Sequence, residues 1–445
     1  MSELVLENEK ELPKGWTLTK LEDVSQIILG QSPPSSSYNK NRNGLPFYQG
    51  KLDFGSTYPT PRIWCIFPQK LAEKRDVLIS VRAPVGPTNI CQERSCIGRG
   101  LAAIRGLGGI NPFFILYLLR SQENIIAGRG TGTTFNAITG NKLKGIKITL
   151  PPLAEQKRIV TKIEELFSLI ENAKNILRNV KLQIPKLLQK TIDDFTMDGI
   201  KNSQIHRLGE IADIRGGVTL GRQLKEKTVK MPYLRVANVQ DGYLDLSEIK
   251  EIEVLESERE KWLLKSGDIL LTEGGDRDKL GRGTVWRGQI STCIHQNHIF
   301  RVRLDKRQFD PDFISLILRS SRSKNFFQNA GKQTVNLASI NKTQLSSFEF
   351  SCPDITTQRL LLTKILQSVD YLNELKKASN DIEKKLSILE NQILYYAFQG
   401  KLASQDPNDE PAEVLLQKIR QEKLQEIQKV NKAKSFKSRR IKNAK

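Results

Sequence analysis

A row of apolar residues at alternating steps of four and three constrains this chain more than any other feature. It runs through Ile159, Ile163, Leu166, Ile170, Ala173, Leu177, Val180, Ile184 and Leu187, the spacing by which one helix lies along another. Pro151 and Pro152 disfavour helix in what precedes them, so the pattern predicts a helix from Ala154 to Asp194, about 60 Å long at 1.5 Å per residue. Pro185 lacks an amide proton and should kink or end the seam near its last turn. A second seam recurs far downstream through Leu361, Ile365, Leu372, Leu375, Ile382, Leu386, Leu389, Ile393 and Tyr396, with Ser368 and Ser379 as polar interruptions. Both open alike, with Gln156 before Thr161-Lys162-Ile163 and Gln358 before Thr363-Lys364-Ile365. Each helix is the other's natural partner.

The segments before the two seams repeat as well. NPFFILYLLRS, from Asn111 to Ser121, answers DPDFISLILRS, from Asp310 to Ser320. RDVLISV, from Arg75, answers GDILLTE, from Gly267. TTFNAITGNKLKGIKITLPP is matched by QTVNLASINKTQLSSFEFSCP, which sets Asn136 over Asn336 and Asn141-Lys142 over Asn341-Lys342. The chain is therefore two copies of a globular unit, each followed by a long helix. The expected class is α+β: two globular α/β-type domains over 1–150 and 201–352, alternating with helices over 151–200 and 353–400 that pair as an antiparallel coiled coil. A final segment follows over 401–445. The pairing residues expected are Ile159, Ile163, Leu166, Ile170, Leu177 and Val180 on one helix. Ile365, Leu372, Leu375, Ile382, Leu386, Leu389 and Ile393 face them.

A length of 445 residues suits two or three domains, each with its own core. No early stretch has signal-peptide form and no apolar run approaches the roughly 20 residues that span a bilayer, so a cytoplasmic protein is expected. Five cysteines without any CxxC suggest neither a disulfide framework nor a zinc site. The net charge of +21 divides as +9, +6 and +6 over residues 1–200, 201–400 and 401–445. Both copies are basic, which favours a polyanion, and nucleic acid is the usual one. An acidic protein partner, or a charge that only serves solubility, is the alternative on charge alone.

The loops locate the candidate contacts. LGQSPPSSSYNKNRNGLPFY, from Leu29 to Tyr48, reads as exposed and carries Lys40 and Arg42. Arg82 ends a strand candidate, and Arg129 lies in the glycine-rich run AGRGTGTTF. In the second copy Arg215 and Arg222 lie beside glycine turns. EGGDRDKLGRGTVWRG, from Glu273 to Gly288, is the densest basic loop, with Arg277, Lys279, Arg282 and Arg287 next to Trp286. Glycines let the backbone approach phosphate while arginine reaches base edges. The copies differ most in these loops, which suggests two unlike half-sites on one scaffold.

Catalytic signatures are missing. No GxxxxGK[ST] run is present, so no ATP-driven motor is expected in this chain. Asn111 and Asp310 fit helix caps with proline at the first helical position better than a methyltransferase tetrad. His295 and His298 lack a third metal ligand and read as a polar patch. No catalytic or metal-binding residue is assigned.

ITLPPLAEQKRIVTKIEEL, from Ile148, its echo from Cys352, and AFQGKLASQDPNDEPAEVLLQKI, from Ala397 to Ile419, resemble the specificity subunits of type I restriction-modification systems. The resemblance covers nearly the whole chain. The second copy departs from it in having Thr357 where the first has Glu155. What the resemblance implies is a non-catalytic adaptor that reads a bipartite, asymmetric target in double-stranded DNA, with the paired helices setting the spacing. It implies two methyltransferase subunits on the outer helix faces and, where the system also cleaves, an ATP-dependent restriction subunit. S-adenosylmethionine, ATP and magnesium are then expected on those partners and no cofactor on this chain. The segment Gly400 to Ile427 is expected to help that docking, and the tail from Lys432 to Lys445 to add phosphate contact. A stand-alone DNA-binding or architectural protein, or an enzyme with an unrecognised site, are the other readings.

Overall fold

The chain is described from a computed structural model over residues 12–130, 137–198, 200, 203–221, 223, 226–275, 280–330, 332–333, 338–425 and 428. Its framing helices are α1 (Pro112–Ser121), α2 (Leu153–Asp193), α3 (Pro311–Leu318), α4 (Ser321–Ala330), α5 (Ile355–Ala397) and α6, over 412–425. It divides into two compact units, Met1–Asn175 with Glu383–Lys445, and Ile176–Ile382.

In the first unit the strands are β1 (Thr17–Lys20), β2 (Ser25–Leu29), β3 (Tyr38–Asn39), β4 (Leu45–Tyr48), β5 (Trp64–Cys65), β6 (Leu71–Ala72), β7 (Val77–Ser80), β8 (Thr88–Ile90), β9 (Ser95–Ile97), β10 (Leu101–Gly106) and β11 (Lys147–Leu150). An antiparallel core sheet runs β2-β10-β7-β8. Val-Leu-Ile-Ser of β7 is buried at every position, as expected of a short apolar run covered on both faces. Val77 and Ile79 meet Phe114, Ile115 and Leu118 of α1 on one side. Leu78 meets Tyr48 and Ile97 on the other, under a second sheet ordered β3-β5-β4-β9-β6.

The second unit repeats this plan with β12 (Gln204–Arg207), β13 (Ala212–Gly216), β14 (Thr228–Leu234), β15 (Lys250–Leu255), β16 (Ile269–Thr272), β17 (Gly274–Gly275), β18 (Gly283–Val285), β19 (Ile294–His295), β20 (Ile299–Leu304), β21 (Lys332–Gln333), β22 (Ala338–Ser339) and β23 (Glu349–Cys352). Its core sheet runs β13-β20-β16-β18, and β12 pairs with β23 as β1 pairs with β11. Ile269 and Leu271 meet Phe313 and Ile317 of α3, while Leu270 meets Leu234 and Trp286 beneath the sheet β15-β14-β19. Asn111 caps α1 by accepting the Phe113 amide at 2.9 Å, and Asp310 caps α3 by accepting those of Asp312 and Phe313. Each is followed by proline at the start of the helix, as the sequence predicts.

One sequence pairing shifts. Thr139 and Asn341 are the equivalent caps, of the short helices Gly140–Lys144 and Lys342–Ser346. Asn141-Lys142 therefore does not overlie Asn341-Lys342; cap chemistry, not residue identity, is what repeats. Asn136 and Asn336 lie outside the described residues.

The long helices pack antiparallel within each unit. In the first, Ile159, Ile163 and Ile170 share a core with Ile393, Leu394 and Ala397, with Leu166 and Leu386 packed against it. In the second, Ile192 and Ile365 meet Leu316, with Leu188, Leu362 and Val369 around them. Leu372 is buried, and Leu177, Val180 and Leu375 are half-buried. Ile382 and Leu389 are corrections: they are 45% and 42% exposed. Leu187 and Tyr396, also read into the seams, are exposed too. Ile365, Leu372, Ser379, Leu386 and Ile393 keep one buried or half-buried row every seven residues, but near its end the companion row passes through Glu390 and Ala397. Glu390 belongs there because Lys174 of α2 pairs with it at 2.7 Å. Pro185 does not end the helix, which continues to Asp193; its ring sits on the exposed side.

α6 belongs to the first unit. Ala412, Leu415, Leu416 and Ile419 are buried in its core, and the Ala412 amide donates to the Gly15 carbonyl at 2.9 Å. Arg158 of α2 binds Asp409 at 2.5 Å and the Ser404 carbonyl at 3.0 Å. The apolar side of the segment expected to dock partners is thus buried within the chain itself.

Candidate nucleic-acid interface

In the first unit the sequence candidates fall in two places. Lys40 and Arg42 are exposed on the turn between β3 and β4. Asn39 shapes that turn, its side-chain oxygen accepting the Asn41 and Asn43 amides at 3.1 and 3.0 Å. Arg42, at φ 61°, lies 5.8 Å over the Trp64 ring. Arg82 is exposed at the end of β7, bridged to Ala137, and half-buried Arg129 offers its carbonyl to Lys142 at 3.0 Å. Only Lys40 and Arg42 lie on the second sheet. The stretch read as one open loop, Leu29 to Tyr48, in fact buries Phe47 and Tyr48 in β4.

In the second unit Arg215 stands exposed on β13, 2.9 Å from Asp213. Arg282 is half-buried, with its guanidinium 3.4 Å from the Val236 carbonyl. Arg287 is exposed and pairs with Asp312 at 2.5 Å. Arg222, Arg277 and Lys279 lie outside the described residues, as does the tail from Lys432. The glycine-rich basic stretch is not a free loop throughout, because Gly283–Val285 forms β18 against β16 and Trp286 is buried in the core. His295 and His298 do not make one patch. His295 is buried with Nδ1 3.0 Å from the Ile299 carbonyl, and burial pushes it down to about 4; His298 is exposed beside Glu273 at 2.8 Å.

The structure also brings forward residues that the sequence did not single out. In each unit a 3-10 turn follows the central strand of the second sheet, Lys51–Asp53 after β4 and Val236–Asn238 after β14. A tight hairpin comes next, closed by the Phe54–Pro59 and Val239–Leu244 bridges, with exposed Tyr58 and Tyr243 at equivalent positions. Leu52, in the Lys51–Asp53 turn, and Phe67, just after β5, are 84% and 71% exposed. An arginine at the end of the repeated helix holds each hairpin: Arg120 donates to the Ser56 carbonyl at 2.5 Å, and Arg319 to the Asp241 carboxylate at 2.5 Å. The repeated Leu-Arg-Ser of α1 and α3 carried that signal.

All five cysteines are buried thiols, and burial pushes Cys96, Cys293 and Cys352 up to about 12. Among the described residues no group of three or more His, Cys, Asp or Glu could hold a metal, and no helix is long and apolar enough to cross a membrane. The geometry is that of two like scaffolds carrying unlike second sheets and loops.

Residues 13–182 and 200–384 each match the type I restriction modification DNA specificity domain. The chain belongs to that family. It is similar to the EcoKI specificity subunit of Escherichia coli K12, with 25% identity over 93% of this chain and 96% of that one. A putative type I restriction enzyme MjaX specificity subunit of Methanocaldococcus jannaschii is 45% identical over 41% of this chain, spanning 43% of that protein. The crystal structure of the HsdS subunit from Thermoanaerobacter tengcongensis shares the fold, at TM-score 0.57 and 20% identity over 88% of this chain and 98% of that one.

Proposed function

We propose that this chain is the DNA-reading adaptor of a type I restriction-modification complex in a prokaryotic cytoplasm. Each unit reads one half of a split, asymmetric target in double-stranded DNA. The paired helices hold the two readings at a set spacing. The observation that carries this is the duplication itself: one core sheet and one helix cap repeated, beneath second sheets of different strand number and loop chemistry. A protein reading a symmetric site would need two like surfaces; two unlike ones suit an asymmetric site.

The chemistry belongs to partners. Exposed Leu169, Ile176 and Leu182 on α2, with Tyr371 and Ile388 on α5, leave apolar surface along the helices for two methyltransferase subunits. Those subunits would carry S-adenosylmethionine, and a restriction subunit, where present, ATP and magnesium. Co-purification tests the adaptor role: the expected product is a complex with two methyltransferase chains that methylates one bipartite sequence. Methyl transfer by the isolated chain would overturn it. Inserting four residues into α2 is expected to change the spacer tolerated between half-sites, and an unchanged spacer with tight binding would remove the helices from that role.

A further inference from the structure

In the second unit, the hairpin that carries Tyr243 is tied to the long helix α2 through a chain of charged and polar groups. Asp241 accepts from Arg319 Nε at 2.5 Å with one oxygen and from Lys324 Nζ at 3.1 Å with the other. Lys324 Nζ also donates to Gln189 Oε1 of α2 at 2.8 Å, and Gln189 Nε2 returns a bond to the Arg319 carbonyl at 3.2 Å. One turn further along α2, Asp193 accepts the Ser321 amide at 2.7 Å and its hydroxyl at 2.6 Å, fixing the start of α4. Gly242, at φ +89°, permits the approach: a Cβ there would lie 2.5 Å from the Arg319 guanidinium.

Two cations converge on one carboxylate in this node. Arg319 and Lys324 are 17% and 28% exposed, and both face the same carboxylate. They are poorly placed to meet a phosphate. Beside the node the hairpin and α3 line a cleft of about 500 Å³ floored by Leu188, Leu316 and Leu366, so close packing does not substitute for the polar tie. The first unit is built differently at the same place: among the described residues Arg120 donates to the main-chain carbonyls of Ser56 and Thr88, where Arg319 donates to a side-chain carboxylate.

We propose that Asp241, Arg319 and Lys324 are positioning residues, which set the angle at which the second unit's β15-β14-β19 sheet meets its DNA half-site without touching the DNA. This rests on the DNA-reading function proposed above. Rigid support behind a reading surface fixes which contacts can form together, and a looser support lowers discrimination before it lowers stability.

The test uses the full chain co-expressed with its methyltransferase partners, selecting from a duplex library with both half-sites and the spacer randomised. Asp241→Asn and Arg319→Met are expected to lower affinity about tenfold and to broaden one half-site and the spacer distribution. Asp241→Glu should restore both, and Ser56→Ala should leave both half-sites as they were. Unchanged half-sites, spacer and affinity in Asp241→Asn would overturn the proposal. So would a loss that Asp241→Glu does not rescue and that follows a fall in melting temperature, since that marks a merely structural role. If the unaltered chain selected no bipartite sequence, the DNA-reading function itself would fail, an outcome distinct from either of these.

Discussion

The Trp16 indole N–H donates to the Glu155 carboxylate at 2.9 Å, joining the lead into β1 to the first turn of α2. Glu155 is buried, and its other oxygen has no hydrogen-bond partner among the described residues. Desolvation holds its carboxyl above the usual range, opposed by the Trp16 bond and Arg158. The second unit has Ser203 and Thr357 at the equivalent places, so donor and acceptor are absent together. Glu155→Ala is expected to cost about 1–3 kcal/mol by leaving the indole N–H bare. Glu155→Gln keeps an acceptor and sheds the buried charge. A carboxyl with a raised folded pKa favours the fold below its unfolded pKa and loses that contribution as pH rises through the folded one. Glu155→Gln should therefore equal or exceed the parent at pH 7, with the gain vanishing near pH 4, as read by denaturant melts.

Gly108 meets α6 where no side chain fits. At φ +59°, its Cβ would stand 2.7 Å from Ile419 Cγ1 and 2.9 Å from Leu415 Cδ1. Gly108→Ala is expected to destabilise the first unit by about 1–3 kcal/mol, through overpacking and an unfavourable backbone conformation. Limited proteolysis should cut over 400–411 sooner, while the second unit's fragment persists.

The Arg158 to Asp409 ion pair anchors the same segment at its near end, with Asp409 almost fully covered. Asp409→Asn should raise hydrogen exchange over 404–411 by about tenfold, corresponding to roughly 1.4 kcal/mol of local opening. The unaltered protein should show the smaller part of that effect in high salt.

His295 makes the second unit acid-sensitive. Its folded pKa of about 4 lies below the ordinary 6.5, chiefly because burial disfavours the imidazolium. The unfolded chain then binds the proton first, so stability falls as pH drops from 6.5 towards 4, by up to about 3 kcal/mol. His295→Asn, which still offers a donor to the Ile299 carbonyl, should remove most of that slope from the difference between the two melting curves.

The duplication and the long helices were legible because both rest on periodic or repeated residues: the seven-residue steps of α5, the caps Asn111 and Asp310, and the buried strands β7 and β16. Near the end of α5, the choice between Leu389 and Glu390 was not. Composition favours leucine, whereas a cross-helix lysine makes glutamate the inward residue. The second sheets escaped for a different reason. In the first unit, strands as short as Tyr38–Asn39, Trp64–Cys65 and Leu71–Ala72 leave no alternation to read, while in the second Thr228–Leu234 and Lys250–Leu255 carry charged residues among the apolar ones and Pro232 within the former. Arginines could be recognised as candidates, but a loop's composition does not say which guanidinium already has a carboxylate, as Arg215 and Arg287 do.

The first unit's core needs Leu415, Leu416 and Ile419, which are synthesised after the whole of Ile176–Ile382, itself one unbroken run. The unit begun second can therefore be completed first, and its predecessor must wait, with its apolar floor open, until Leu415 to Ile419 have emerged.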